Sequence, residues 1–439
     1  MTKEEKYTIA KWAMEHAVQN GAQQARVIIY NDNSSQVEVR DEKIDKLQES
    51  NRNGMQISLY VDNKFSSIST SRITNREELS KFIEEAIAGT RFLAEDEFRK
   101  LPDPSRYYKG GGPDLKTVDP LFSEIDPQQK VQDAFNLEKE ARGKDERIIS
   151  VTSSYRDGLS GMVMVSSNGF EGDSENSYYS LSTSVSVTDG VARPQGSWNE
   201  SSIFSNELVR RDIGTKAMKR ALDRLGQAKI ASGKMPMIVE NRMAGMTLQP
   251  LISALSGSAI QQRQSFLIGM LGEKIGSGLM TIVDDPFIVS GRGSRLFDGE
   301  GMATELRSVV DAGILKTYYI DTYYAGKLDM EATSGSTTNL VFEPGEKDLE
   351  GMLADIDRGI LVTGFNGGNS NGATGDFSYG IEGFLVEKGT LVKPVAEMNI
   401  TGNFKSLWQN LVAVGSDVDP SRSWRMPSLV FDRVDFSGI

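Results

Sequence analysis

The sequence predicts a multidomain α+β protein, with N-terminal helix-plus-strand units and a large strand-rich C-terminal domain. Three observations lead there. At 439 residues the chain exceeds one ordinary core, because domains run to roughly 100–200 residues each. Helical and strand-like periodicities come in blocks rather than in strict β-α-β alternation, the grammar of an α+β architecture. A Pro- and Gly-rich stretch over residues 101–126 separates the first block from the second, as a connection does. The domains expected are residues 1–100, an α+β domain; 127–226, a second α+β unit after the connection; and 227–439.

The first block opens with a helix. Thr2 and Glu5 fit a capping box, Ile9, Ala10, Ala13, Met14 and Ala17 share a face, and Gly21 ends it. Four short strands follow at residues 26–30, 36–40, 55–61 and 65–70, with Asn53-Gly54 and Asp62-Asn63 as turns. A helix over residues 75–95 carries Leu79, Phe82, Ile83, Ala86 and Ile87 as its stripe. The second block repeats the pattern: a helix over 127–143, strand-like runs at 147–154, 161–166 and 178–187, a shorter run toward Trp198, and a helix over 206–225. Both halves spell helix, four strands, helix, which fits a diverged duplication or two unrelated units of common grammar. In the last block, residues 235–240 read as a strand, and 242–255 and 261–271 as helices. Strands follow at 280–283, 315–320 and 384–388, and residues 364–377 form a long glycine-rich loop. Loops of that length are often functional.

Composition excludes several chemistries. The chain has no cysteine and one histidine, so it cannot build a His/Cys zinc site or a cysteine-protease centre. His16 sits one turn after Trp12 with no nucleophile or ligand cluster around it, and reads as a packing residue. Net charge is −12, and residues 301–439 hold 11 basic against 19 acidic side chains. Duplex binding needs lysine and arginine on phosphates, so direct nucleic-acid binding is disfavoured. No apolar run reaches the length of a membrane span. Charges run through the first sixteen residues where a signal peptide has its apolar core. A cytoplasmic protein is expected.

Short motifs add little. Gly368-Asn369-Ser370-Asn371-Gly372 matches G-x-S-x-G in form, but a nucleophile elbow needs a strand before the serine, a helix after it and a histidine partner. A loop that turns tightly or lets backbone approach a ligand is preferred. No phosphate-binding loop occurs. Asp284-Asp285 and Asp417-Val418-Asp419 are carboxylate pairs without the spacing of a calcium loop.

Several stretches together resemble the TldD/PmbA family, known historically as modulators of DNA gyrase. They are Phe297-Asp298-Gly299-Glu300-Gly301, Gly313-Ile314-Leu315-Lys316 and Tyr323-Tyr324-Ala325-Gly326; Thr374-Gly375-Asp376-Phe377-Ser378-Tyr379-Gly380 leading into Gly383-Phe384-Leu385; and Ile400-Thr401-Gly402-Asn403 with Asn410-Leu411-Val412-Ala413-Val414-Gly415. Their order and spacing cover most of residues 230–420. One branch of the family carries HExxxH on a helix, with a tail cysteine completing a zinc site. This sequence resembles the other branch, PmbA or TldE. Ser253 and Ser258 stand at the histidine positions, Ala254 at the glutamate and Met426 at the cysteine. Metal and catalytic roles are therefore not carried over to this chain.

The resemblance implies a non-zinc subunit of a cytoplasmic metalloprotease complex that cleaves unfolded peptides, in peptide maturation and antitoxin degradation. Zinc is expected only in a TldD-type partner, and a homodimer of this chain is the other possible assembly. The alternative is a non-catalytic peptide-binding or scaffold protein, or a gyrase modulator acting through protein contacts. Peptide-cleft candidates are Glu300, Phe365, Asn366, Gly367, Gly368, Asp376 and Phe377.

Overall fold

The computed structural model describes residues 1–439. Its first layer is built from α1 (Lys3–Gln19), β1 (Gln24–Arg40), β2 (Lys43–Val61), β3 (Lys64–Thr70) and α2 (Arg76–Thr90). Then come α3 (Pro127–Ala141), β4 (Ile148–Ser166), β5 (Glu171–Val187), β6 (Gln195–Ser202) and α4 (Ile213–Leu222). Helix starts follow local chemistry. Thr2 Oγ1 accepts from the Glu5 amide and Glu5 returns the bond, Asn75 caps α2, and Asp126 caps α3 ahead of Pro127.

Each unit is helix, three strands, helix, not helix, four strands, helix. The polar run Asn31–Ser35 and the pair Asn53-Gly54, expected to interrupt or turn the chain, lie inside 17- and 19-residue strands. Pairing decides this: Asn31 stands opposite Asn53 on β2 and Gly161 on β4, so β1 is held on both sides. Gly54 is not a turn residue; the Tyr30 ring lies where its Cβ would be. The true hairpin turn is Asp41-Glu42, with φ of 52° and 60°. Asp62-Asn63 does turn, at φ of 51° and 58°.

The two units are halves of one antiparallel sheet, in the order β3-β2-β1-β4-β5-β6. All four helices cover one face. Ala25, Val27 and Ile29 of β1 pack into the core under α1 and α2, while Val37 and Val39, of the same parity, pack under α3 and α4. On the opposite face Ile28, Met162 and Met164 meet Tyr107 of the connection, Phe170 and Phe297, which joins the sheet to the C-terminal domain.

Helix bounds shift where backbone conformation intervenes. The helix expected over 75–95 stops at Thr90, and the one expected from 206 begins at Ile213 because Asp212 is left-handed (φ 64°). The preceding segment is held instead by Arg210, which donates to Asp133 at 2.9 Å and to the Ser205 carbonyl at 2.6 Å.

The C-terminal domain contains β7 (Gly233–Val239), α5 (Asn241–Ala254), α6 (Gly257–Gln261), β8 (Ile282–Asp284), β9 (Arg307–Asp311), β10 (Ile314–Leu315), α7 (Thr322–Leu328), β11 (Leu340–Phe342) and α8 (Leu349–Ala354). It ends with β12 (Arg358–Ser370), β13 (Asp376–Glu387), β14 (Thr390–Asn403), α9 (Phe404–Gln409), β15 (Leu411–Val414), β16 (Trp424–Arg425) and β17 (Leu429–Ser437). One sheet runs β14-β13-β12-β7-β17-β15, and a further β14–β17 pairing closes it into a barrel. A five-stranded sheet, β10-β9-β8-β11-β16, stands beside it.

Three expectations fail here. The helix over 261–271 is absent, since α6 ends at Gln261 and Arg263, Gly269 and Gly272 take positive φ. The strand over 315–320 reduces to β10. The long loop over 364–377 is mostly strand: β12 and β13 pair through it with bulges at Val362/Gly364 and Asn366/Gly368, leaving a turn at 371–375.

Candidate functional site

Helix α5 crosses β12 with Ala244, Thr247, Leu248, Leu251 and Ile252 buried, and it carries two of the positions singled out by the family resemblance, Ser253 and Ala254. It stops at Ala254. Ser256 starts α6, accepting from the Ala259 amide at 3.3 Å. The junction is stapled to the chain before α7: Tyr319 donates its amide to the Leu255 carbonyl (2.9 Å) and its carbonyl accepts from Gly257 (2.8 Å). A Cβ on Gly257 would stand 2.7 Å from Tyr324 Cβ, so only glycine lets α6 and α7 approach this closely.

The four positions do not form one polar site. Ser253 is exposed and accepts from Gln249 Nε2 at 3.1 Å, whereas Ser258 is half-buried, 3.2 Å from Ser256 Oγ. Ala254 and Met426 are buried in the C-terminal core. The Ala254 carbonyl accepts from Ser265 Oγ at 2.6 Å, which draws residues 262–266 back under α5. Two hydroxyls, a methyl group and a thioether are not a zinc donor set. No group of three His, Asp or Glu side chains is arranged to hold a metal.

The β12–β13 hairpin closes on this junction. Phe266 donates its amide to the Gly372 carbonyl at 2.8 Å, and its ring stacks on Phe404. Phe377 packs on Phe404 with centroids 4.7 Å apart, and Phe365 meets Tyr379 edge-on. The Phe365, Phe377, Tyr379 and Phe404 rings face Met246 and Thr247 of α5 across a small apolar cleft. Asp376 accepts from Asn403 (2.9 Å) and Thr374 (2.7 Å), bonds that hold its carboxyl below the usual range. Its role is to fasten the turn. Gly367 and Gly368 take positive φ within the bulge.

Ser370 ends β12 and is followed by a turn and another strand, so no nucleophile elbow exists. His16 stacks on Trp12 and contacts Glu84 at 3.0 Å. The carboxylate pairs are also structural: Asp284 accepts from Thr338 and Tyr319, and Asp417 from Ser428.

Glu300 stands apart from the other cleft candidates. Its Oε2 accepts from the Thr322 amide and hydroxyl at 2.8 and 2.9 Å, anchoring the start of α7. Burial pushes its carboxyl up, as it does for Asp298, which holds the same turn by accepting from the Glu300 and Met302 amides.

A groove missed at the sequence level runs between edge strand β6 and the C-terminal sheet. It comprises cavities of about 730 and 260 Å³ that share Gln195, Gly196, Ser197, Arg224 and Glu382. Asn366 lines the larger one and donates to Glu382 Oε2 at 2.7 Å, so one cleft candidate does reach it. Its residues come from eight separate segments of the chain, and no local motif marks them. A larger cavity, about 1240 Å³, lies elsewhere, between the connection and residues 292–299.

Domain models described as PmbA/TldA metallopeptidase domain 1, central domain and C-terminal domain match residues 25–89, 120–225 and 232–438. The chain is also 30% identical over 407 residues to the metalloprotease PmbA homolog of Buchnera aphidicola (92% of this chain, 90% of that protein). This chain belongs to the PmbA/TldD family.

Other members agree. It is 26% identical to the metalloprotease PmbA of Escherichia coli O157:H7 over 423 residues, 94% of this chain and 92% of that protein. A Bacteroides thetaiotaomicron crystal structure, named there as a candidate modulator of DNA gyrase, superposes with TM-score 0.98 at 50% identity over both full chains. TldE from Thermococcus kodakarensis shares the fold, with TM-score 0.86 at 22% identity, covering 98% of this chain and all of that one. The three PmbA/TldA domains are thus all present in this chain, with serines and alanine at the α5–α6 junction and Met426 ahead of β17.

Proposed function

We propose that this chain is the non-zinc subunit of a cytoplasmic TldD/TldE-type peptidase that acts on unfolded peptides. One observation carries the reading: the α5–α6 junction is built and stapled at Tyr319, yet Ala254 and Met426 are buried apolar side chains and Ser253 and Ser258 are hydroxyls bonded to neighbouring side chains, a set unsuited to metal ligation. Hydrolysis by a metal needs a bound ion that activates water. In this reading that ion belongs to a TldD-type partner, and this chain shapes the shared chamber.

An extended peptide would lie in the groove beside β6, the edge strand of its sheet, where backbone pairing gives affinity and side-chain pockets give selectivity. Asn366 of β12 with Glu382 and Phe384 of β13 would then form one wall. The relatives' names as metalloproteases support the peptidase class. The name of the Bacteroides neighbour keeps a second reading, contact with gyrase, which an acidic chain would make through protein rather than DNA.

Metal analysis of the purified chain tests the assignment. Zinc well below one equivalent after ordinary purification is expected. One tightly held zinc per chain would contradict it.

A further inference from the structure

The smaller part of the groove, about 260 Å³, presents guanidinium groups from Arg220, Arg224, Arg242 and Arg422. Two are already matched. Arg220 is bidentate with Glu240, and Arg224 pairs with Glu382. The other two are not matched in this way.

Arg242 is 12% exposed and donates through Nη1 to the carbonyl and side-chain oxygens of Asn199 at 3.1 and 3.3 Å. Its nearest carboxylate, Glu200, is 3.6 Å away and already accepts from Trp198 Nε1 at 2.7 Å. The guanidinium lies 3.5 Å over the Trp198 ring, whose electron-rich face stands in for a missing anion. Arg422 reaches Asp419 through Nε alone, at 3.1 Å, and Asp419 is shared with the Ser421 amide and hydroxyl. Burial lowers the Arg242 pKa, with Arg422 adding to the effect against the pull of Glu200. Both remain cations, since guanidinium does not deprotonate in proteins.

Two neighbouring guanidiniums with unmatched N–H donors form a fork suited to a planar carboxylate. The other charged groups of the cavity, Asp223, Glu240 and Glu382, offset Arg220 and Arg224 and disfavour a dianion such as phosphate. Resting on the peptide-binding reading above, we propose that Arg242 and Arg422 bind a carboxylate of the peptide in the groove, supplied by its C-terminus or by an acidic side chain.

Trp198, one of four tryptophans, reports directly on Arg242. The full chain carrying 5-fluorotryptophan, with the Trp198 signal assigned by Trp198→Phe, is titrated with N-acetylglycine and with its amide. The Trp198 resonance should move with the acid and not the amide, and Arg422→Gln should weaken the acid about tenfold or more, as loss of a charged hydrogen bond does. Arg422 is the more exposed partner, so this variant avoids the core. No shift, or equal binding by Arg422→Gln, overturns the inference.

Three ten-residue peptides then separate the sources: one neutral with a free C-terminus, one amidated with a single Glu, and one neutral and amidated. Whichever of the first two binds more tightly identifies the carboxylate recognised. Equal binding of all three overturns the inference and leaves peptide binding standing. Binding of N-acetylglycine with no peptide binding upholds the anion site and counts against the peptide reading.

Discussion

Arg220 of α4 and Glu240 at the head of α5 form a two-point ion pair, 2.7 Å on each side, across the junction between the N-terminal sheet and the C-terminal domain. The pair is mostly buried, and Glu240 raises the Arg220 pKa against the opposing effect of burial. Planar guanidinium and carboxylate match in this geometry, which fixes orientation as well as distance. The groove keeps its shape because this contact and the Arg224–Glu382 pair hold its two walls together.

Glu240→Gln should therefore destabilise the protein by about 3 kcal/mol, the scale for leaving one member of a buried pair unmatched. Lys219→Ala, which breaks an exposed pair with Asp223, should change stability by less than about 1 kcal/mol. Urea denaturation of both variants checks the contrast.

Gly257→Ala should cost about 1–3 kcal/mol, because the added methyl meets Tyr324 and forces α6 and α7 apart. Ser253→Ala, on the exposed side of α5, should be nearly neutral in stability, and in a reconstituted complex Ser253→Ala and Ser258→Ala should each cost less than about tenfold in rate, or 1.4 kcal/mol. Thermal melts and peptide turnover measure the two effects.

The hairpin glycines should differ. Gly367 has φ of 65° and open space where a Cβ would go, so Gly367→Ala should cost only about 1 kcal/mol of backbone strain. Gly368 has φ of 110° and its Cβ would strike the Ser378 carbonyl and the Tyr379 backbone. Gly368→Ala should disrupt the bulge and impair peptide processing while leaving assembly intact. Turnover equal to the parent in both variants would show that the hairpin does not contribute to the cleft.

Some of this architecture was legible in the sequence because its causes are local. Thr2, Asn75 and Asp126 cap the helices they precede through bonds spanning two or three residues. The long strands were not legible: Asn31–Ser35 has the composition of a turn, and what straightens it is β4, more than a hundred residues away. The same holds at the site. Family motifs pointed to Ser253, Ser258 and the hairpin, but Arg224, Arg242, Glu382 and Arg422 meet only through the fold. Glu300 was grouped with the hairpin by motif alone, and the structure places it at α7.

Glu300 also predicts a pH effect. Burial raises its folded pKa above the unfolded value, so the folded state binds more protons and stability from this group falls as pH rises through that window. Glu300→Gln, which keeps an acceptor for Thr322, should be at least as stable as the parent near pH 8. Its advantage should shrink as pH falls toward the ordinary carboxylate range. Melting temperatures at pH 5 and 8 read the sign, and an advantage that grows on acidification would contradict it.

The most direct measurement is reconstituted proteolysis. This chain, a TldD-type homologue bearing HExxxH, and the two together are each incubated with an unfolded peptide and zinc, with and without excess chelator. The account predicts no cleavage by this chain alone, rapid chelator-sensitive cleavage by the mixture, and loss of activity when the partner's zinc-binding histidines are replaced. Cleavage by this chain alone in excess chelator, or full activity of the partner without it, would contradict the account.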